Sequence, residues 1–210
     1  MRARALRAAL TLGIMLLGSG AAQAGPQMYE PMSESVRAAL HAAISDQPPL
    51  LVRQDEAYRN WRADMAQRLA RWLPDEADRL DLLDTVHYEA TRAGLDPQLV
   101  LGLIQVESGF RKYAVSSAGA RGYMQIMPFW IEVIGRPADN LFHRRTNLRY
   151  GCIILRHYLD IEKGDLFRAL GRYNGSLGKA VYPNKVRAAW EGDWSFEAMP
   201  QQAARVAANP

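Results

Sequence analysis

From Glu76 onward the chain is a run of helical segments with explicit starts and stops, and this punctuation confines it to a mainly α fold. Leu80, Leu83, Val86 and Ala90 recur at helical spacing up to Gly94, a residue suited to the left-handed position after a helix end. Asp96-Pro97 supplies an N-cap and a first-turn proline for the next helix, predicted over residues 97–107. Further helices are predicted over residues 129–134, 146–159, 165–173 and 181–190, with Asn174-Gly-Ser-Leu-Gly178 as a turn. Residues 116–125, rich in Gly, Ala and Ser, read as loop or a very short β element. Two earlier helices, over residues 33–44 and 56–72, are stopped by Pro48-Pro49 and by Pro74 and read as an N-terminal extension packed on the main domain. The organisation expected is a leader over 1–24, the helical extension over 25–75, the main domain over 76–190 and a tail over 191–210 whose end is frayed.

The leader rests on an order of residue types. Arg2, Arg4 and Arg7 precede an apolar stretch from Ala8 to Leu17, and Ala22-Gln-Ala24 follows, which is the pattern of a secretory signal peptide. The apolar stretch is half of what a bilayer crossing needs. Export to the periplasm is therefore expected, and because glycine and not cysteine directly follows Ala24, a lipid anchor there is not expected. Loss of the leader takes three of the 26 basic side chains and none of the 22 acidic ones, so the mature chain is close to neutral. With no basic stripe interleaved with aromatics, a nucleic-acid partner is not expected. Cys152, the single cysteine, lies in the apolar stretch Leu148-Arg-Tyr-Gly-Cys-Ile-Ile-Leu155 and reads as a buried thiol.

Glu107 is the residue with the clearest chemical promise. On a helix it sits above Leu103 and Val100, on the stripe that faces a core, where loss of water raises a carboxyl pKa toward that of a general acid. Periodicity alone leaves open an ordinary surface glutamate at a helix end. The next stretch favours the chemical reading: residues 108–131 contain no Asp or Glu but hold Arg111, Lys112, Arg121 and many Ser, Gly and Tyr residues. The four histidines, His41, His87, His143 and His157, lack metal-ligand spacing, so neither a metal nor another cofactor is expected. Gly119 and Gly122 make no phosphate loop, and no serine sits in a Gly-x-Ser-x-Gly elbow.

Three segments carry a resemblance. Glu107-Ser-Gly-Phe110, Ser116-Ser-Ala-Gly-Ala-Arg-Gly-Tyr-Met-Gln-Ile-Met-Pro128 and Ala169-Leu-Gly-Arg-Tyr-Asn-Gly175 resemble the three motifs of the soluble-lytic-transglycosylase-like domain family. The likeness runs from about Leu80 to Ala189 and includes the helix opening Asn147-Leu-Arg-Tyr-Gly151. It implies a lysozyme-like fold shared with goose-type lysozymes and a cell-wall glycan substrate. It also implies that Glu107 is the catalytic acid and base, that Ser108 contacts substrate, and that Met124 and Gln125 line the sugar cleft. Tyr173 and Asn174 match a Tyr-Asn pair supporting the cleft floor, and Tyr182 matches a tyrosine whose hydroxyl approaches the catalytic carboxyl. Taken singly, Tyr173 and Met124 read equally as core residues. The chain departs from the pattern at Tyr123, where leucine is commoner, at Arg172, where a small residue is usual, and at Pro183, where an apolar residue follows the tyrosine.

The activity implied is that of a peptidoglycan lytic transglycosylase: cleavage of the bond between N-acetylmuramic acid and N-acetylglucosamine by one glutamate, without water, closing a 1,6-anhydro ring. Two alternatives stand beside it. One is a lysozyme-type hydrolase in which a distant acid such as Glu132 or Asp139 positions water. The other is a non-catalytic wall-binding or assembly protein that kept the groove. The expected partner is the glycan strand, with cell-envelope machinery a candidate and a monomer the expected state.

Overall fold

A computed structural model describes residues 27, 29–53 and 55–196. The leader and the expected frayed end over 201–210 lie outside the described residues. The mainly α expectation holds: eight α-helices and one π-helical turn make up the regular structure among the described residues, and the only β pairing there is two isolated bridges, Val115 with Arg121 and Arg121 with Ile126. In chain order the helices are α1 Glu34–Ser45, α2 Glu56–Leu69, α3 Glu76–Arg92, α4 Pro97–Ser108, α5 Phe129–Ile134, α6 Arg144–Ile161, α7 Leu166–Tyr173 and α8 Val181–Ala188, with the π turn over Ala189–Asp193.

Side-chain caps begin most of them. Ser33, Asp55, Asp75, Asp96 and Asp165 each accept a backbone N–H of the first turn of α1, α2, α3, α4 and α7. Gly94, with φ of 67°, turns the chain out of α3, and Gly109, with φ of 56°, ends α4 one residue after Ser108.

Two helices stop short of the sequence expectation, for tertiary reasons. α2 ends at Leu69 instead of 72, because the Trp72 and Leu73 amides both fold back on the Leu69 carbonyl at 3.0 Å. That turn delivers the Trp72 ring to Phe110 and Trp194, with centroids 5.2 and 5.3 Å away. α8 ends at Ala188, and the wider π turn takes its place through Trp190. The reason lies on α4: a Cβ on Gly102 would sit 2.9 Å from the Trp190 nitrogen, so the bare glycine admits the backbone of the π turn. Trp194 follows, fully buried and donating its indole N–H to Gln105 Oε1 at 2.6 Å.

The core runs through Leu82, Leu83 and Val86 of α3, Val100, Leu103 and Ile104 of α4, and Leu148, Cys152 and Leu155 of α6. Ile44, Tyr58, Trp61, Met65 and Leu69 of the first two helices belong to the same cluster. Buried charge ties them down as well. Glu89 accepts from Arg145 and Arg149, both at 3.0 Å, and these arginines also donate to the Pro48 and Ile44 carbonyls at the end of α1. A buried carboxylate is tolerated there because paired guanidinium groups replace its lost water. Cys152 is free and buried, and burial pushes its thiol well above the ordinary range, so it is an inert core residue.

Candidate active site

Glu107 is the penultimate residue of α4, and Leu103 and Val100 beneath it are fully buried. Its side chain points at α8, where the Tyr182 hydroxyl donates to Oε1 at 2.5 Å. Oε2 is shut off from solvent and has no hydrogen-bond partner among the described residues. The residue as a whole is half-buried; the enclosed part is the carboxyl. Burial raises its pKa from 4.5 to about 8, and the Tyr182 hydrogen bond only partly opposes that rise. Glu107 is thus a neutral acid near pH 7, one proton transfer away from being a base.

Residues 110–128 wrap over this end of α4, with Phe110, Tyr123, Met124 and Ile126 in the core and several backbone groups held by side chains from elsewhere. The Ser108 hydroxyl donates to the Tyr123 carbonyl at 2.8 Å. The Tyr173 hydroxyl donates to the Met124 carbonyl at 2.8 Å, and Asn147 Oδ1 accepts the Met124 amide at 2.8 Å. Asn147 Nδ2 also donates to the Arg121 and Leu141 carbonyls. Gln125, in a left-handed conformation with φ of 50°, turns its amide back to the Gly122 and Ala114 carbonyls. Met124 packs on Gly151 of α6, where a Cβ would meet its sulfur at 2.2 Å. Asn174 caps α7 and donates to Ser176 Oγ at 3.0 Å.

The sequence-predicted site residues therefore fall into two groups. Glu107 and Tyr182 touch each other through their functional groups. Ser108, Met124, Gln125, Tyr173 and Asn174 are all close at hand, but none is more than 5% exposed, and each polar one is bonded within the chain. They make a buried frame that fixes the loop beside Glu107.

A cleft of about 600 Å³ opens at this point, with Gln105, Glu107, Ser108, Arg111, Lys185 and Asp193 among its lining residues. The sequence reading missed Asp193, Gln105 and the role of Asn147. Asp193 is committed: Gln105 Nε2 donates to it at 2.7 Å and Arg71 at 3.0 Å, and these contacts lower its pKa against the effect of burial. Neither Glu132 nor Asp139 lines this cleft. Glu132 is exposed on α5. Asp139 is desolvated, yet it is held below the usual carboxylate range by the Tyr150 hydroxyl at 2.7 Å and by Arg136. Among the described residues no three His, Cys, Asp or Glu side chains gather as a metal site, and no helix is long and apolar enough to cross a membrane.

Residues 84–192, just over half of the chain, match the transglycosylase SLT domain. The chain belongs to this family. It is 34% identical over 110 residues to a protein named transglycosylase from Enterobacteria phage PRD1, covering 49% of this chain and 40% of that one. It is 31% identical over 115 residues to membrane-bound lytic murein transglycosylase C of Haemophilus influenzae, covering 47% of this chain and 32% of the relative. A protein of the same name from Actinobacillus pleuropneumoniae is 50% identical over 46 residues, 22% of this chain and 13% of the relative. The chain thus spans two fifths or less of the length of these relatives.

Within this SLT domain the unusual residues are accommodated without disturbing Glu107. Arg172 turns into ion pairs with Glu162 and, at 2.7 Å, with Glu30. Pro183 is the third residue of α8, in the first turn, where a backbone N–H would find no carbonyl within the helix. Tyr182 therefore keeps its reach to Glu107. Tyr123 is buried and offers its carbonyl to Ser108.

Proposed function

We propose that the protein is a peptidoglycan lytic transglycosylase that cleaves the β-1,4 bond between N-acetylmuramic acid and N-acetylglucosamine and leaves a 1,6-anhydromuramoyl end. The observation that carries this reading is the enclosed Glu107 carboxyl, its pKa raised by burial, in a cleft whose other carboxylate, Asp193, is already bound to Arg71 and Gln105. Family membership and the relatives' names support it.

Glu107 first gives its proton to the glycosidic oxygen as the bond to the muramic anomeric carbon breaks. The carbonyl oxygen of the muramic acetamido group covers that carbon, so the substrate provides the second group that most glycosidases draw from a carboxylate. Glu107, now a carboxylate, takes the proton of the muramic C6 hydroxyl, whose oxygen attacks the anomeric carbon and displaces the acetamido oxygen. The acid is regenerated and water is not consumed. Tethering of the attacking hydroxyl supplies much of the advantage a bimolecular attack lacks. Tyr182 holds the carboxyl in place through both steps, and Ser108, Met124, Gln125, Tyr173 and Asn174 form the frame of the cleft wall.

Export fits the same reading, because the substrate lies outside the cytoplasmic membrane; the leader over 1–24 is proposed to be removed, leaving Gly25 as the first residue. The test is mass spectrometry of products released from purified sacculi without added metal or nucleotide. Anhydromuramoyl ends are expected, also in the presence of a chelator. Reducing muramic ends would move the assignment to a lysozyme-type hydrolase, and no release would favour a wall-binding protein.

A further inference from the structure

Two cations in the Glu107 cleft have no carboxylate partner. Arg111 donates Nε to the Ser108 carbonyl at 2.8 Å, and the other end of its guanidinium meets no acceptor among the described residues. The side chain of Lys185, which lines the cleft from α8, forms no hydrogen bond or ion pair among the described residues. Their neighbours behave differently. Arg187, two residues on, pairs with Glu191 at 3.0 Å, and Arg71 and Arg68 pair with Asp193 and Asp64. The cleft's second carboxylate, Asp193, is thus paired with Arg71, which does not line the cleft, and Arg111 and Lys185 leave a net positive charge beside Glu107.

We infer that Arg111 and Lys185 form a carboxylate-binding subsite that selects glycan strands bearing anionic peptide stems. The inference rests on the proposed action on peptidoglycan, whose muramic residues carry peptide stems with free carboxylates. Arg111 suits the role because one bond to the end of α4 pins the guanidinium while the open edge keeps two parallel N–H donors, the geometry a carboxylate takes. Lys185 adds a mobile point charge. Gly109, in its left-handed turn with φ of 56°, sets Arg111 close beyond Glu107, so stem recognition and bond cleavage share one rigid corner.

The test uses the whole protein on sonicated sacculi in two forms: native, and with stem carboxylates converted to amides by carbodiimide and ammonia. Initial rates at limiting substrate are expected to fall about tenfold for the parent on the amidated form, the size of one charge-assisted contact. The Arg111→Gln/Lys185→Gln double variant should show that loss on native sacculi and no further loss on amidation, with the melting temperature lowered only by the loss of the Arg111 bond to the Ser108 carbonyl. Lys163→Gln, which removes a charge from a residue outside the cleft lining, should follow the parent. A double variant as fast as the parent on native sacculi, or one still slowed tenfold by amidation, overturns the inference. If the parent releases nothing from native sacculi, the proposed activity fails instead, and sedimentation decides the subsite. Binding lost on amidation in the parent but indifferent to it in the double variant supports the subsite; binding indifferent to amidation in the parent overturns it.

Discussion

The Tyr182 hydroxyl and Glu107 Oε1 lie 2.5 Å apart, and this is the only hydrogen bond on that carboxyl among the described residues. Because a bond donated to a carboxylate favours its charged form, Tyr182 holds the pKa below what burial alone would impose. Tyr182→Phe removes the donor and little else. The alkaline limb of the pH–rate profile, where the acid is lost, should move to higher pH, and kcat should fall roughly tenfold as the carboxyl loses its orientation. An alkaline limb that stays in place would show that the hydroxyl does not govern the carboxyl.

Glu107→Gln keeps the size of the side chain but can neither give nor take a proton. Activity should drop by roughly 10²- to 10⁴-fold or more, since both proposed steps pass through the carboxyl. The stability change has a definite sign. With a folded pKa of about 8 against an ordinary 4.5, the folded parent binds one more proton than the unfolded chain between those values. Its stability therefore declines with rising pH across that window, by up to about 1.4 kcal/mol per unit from this group. The glutamine variant lacks this contribution. Thermal melts of the two proteins should diverge from pH 4.5 to 8, the variant being the more stable at neutral pH; parallel curves would contradict the enclosed carboxyl.

The helices and Glu107 were legible because their signals are local: capping residues, a proline in a first turn, a carboxyl four residues above a leucine. What stayed hidden was decided by groups far apart in the chain. The end of α2 depends on rings of Phe110 and Trp194, and the π turn depends on the missing side chain of Gly102. Asp193 carries no spacing that ties it to Glu107, and only the fold brings it into the same cleft. Ser108, Gln125 and Tyr173 were visible through the family resemblance, but their bonds go to backbone carbonyls, a partner that residue types do not reveal.

Asn147 holds the loop at two points, the Met124 amide and the Arg121 carbonyl, ties it to the Leu141 carbonyl beyond it, and is fully buried. Asn147→Ala leaves the Met124 amide and the Leu141 carbonyl without a partner, at about 1–3 kcal/mol each where water cannot enter, while the Arg121 carbonyl keeps the Ile126 amide. A loss of about 3 kcal/mol in chemical unfolding is expected, with faster hydrogen exchange at the Met124 amide than at amides of α3. Activity should fall although Asn147 does not line the cleft, and an unchanged exchange rate at Met124 would remove the proposed link between this asparagine and the loop.

Gly151 sets two effects against each other. It lies inside α6, where alanine is favoured over glycine by about 1 kcal/mol on helix propensity alone. A Cβ there would stand 2.2 Å from the Met124 sulfur and 2.9 Å from the Met124 Cβ, so swinging the thioether aside does not remove the clash. Overpacking of this kind costs about 1–3 kcal/mol, enough to reverse the propensity gain. Gly151→Ala should therefore lower the melting temperature. Since the Met124 backbone carries the bonds from Tyr173 and Asn147, its displacement should also lower kcat. Adding Met124→Ala removes the sulfur and methyl contacts and leaves the Cβ at 2.9 Å, so it should recover only part of the catalytic loss, and the emptied core costs stability. A single variant that melts higher than the parent with full activity would mean that Met124 does not press on α6, and that this contact does not set the position of the loop.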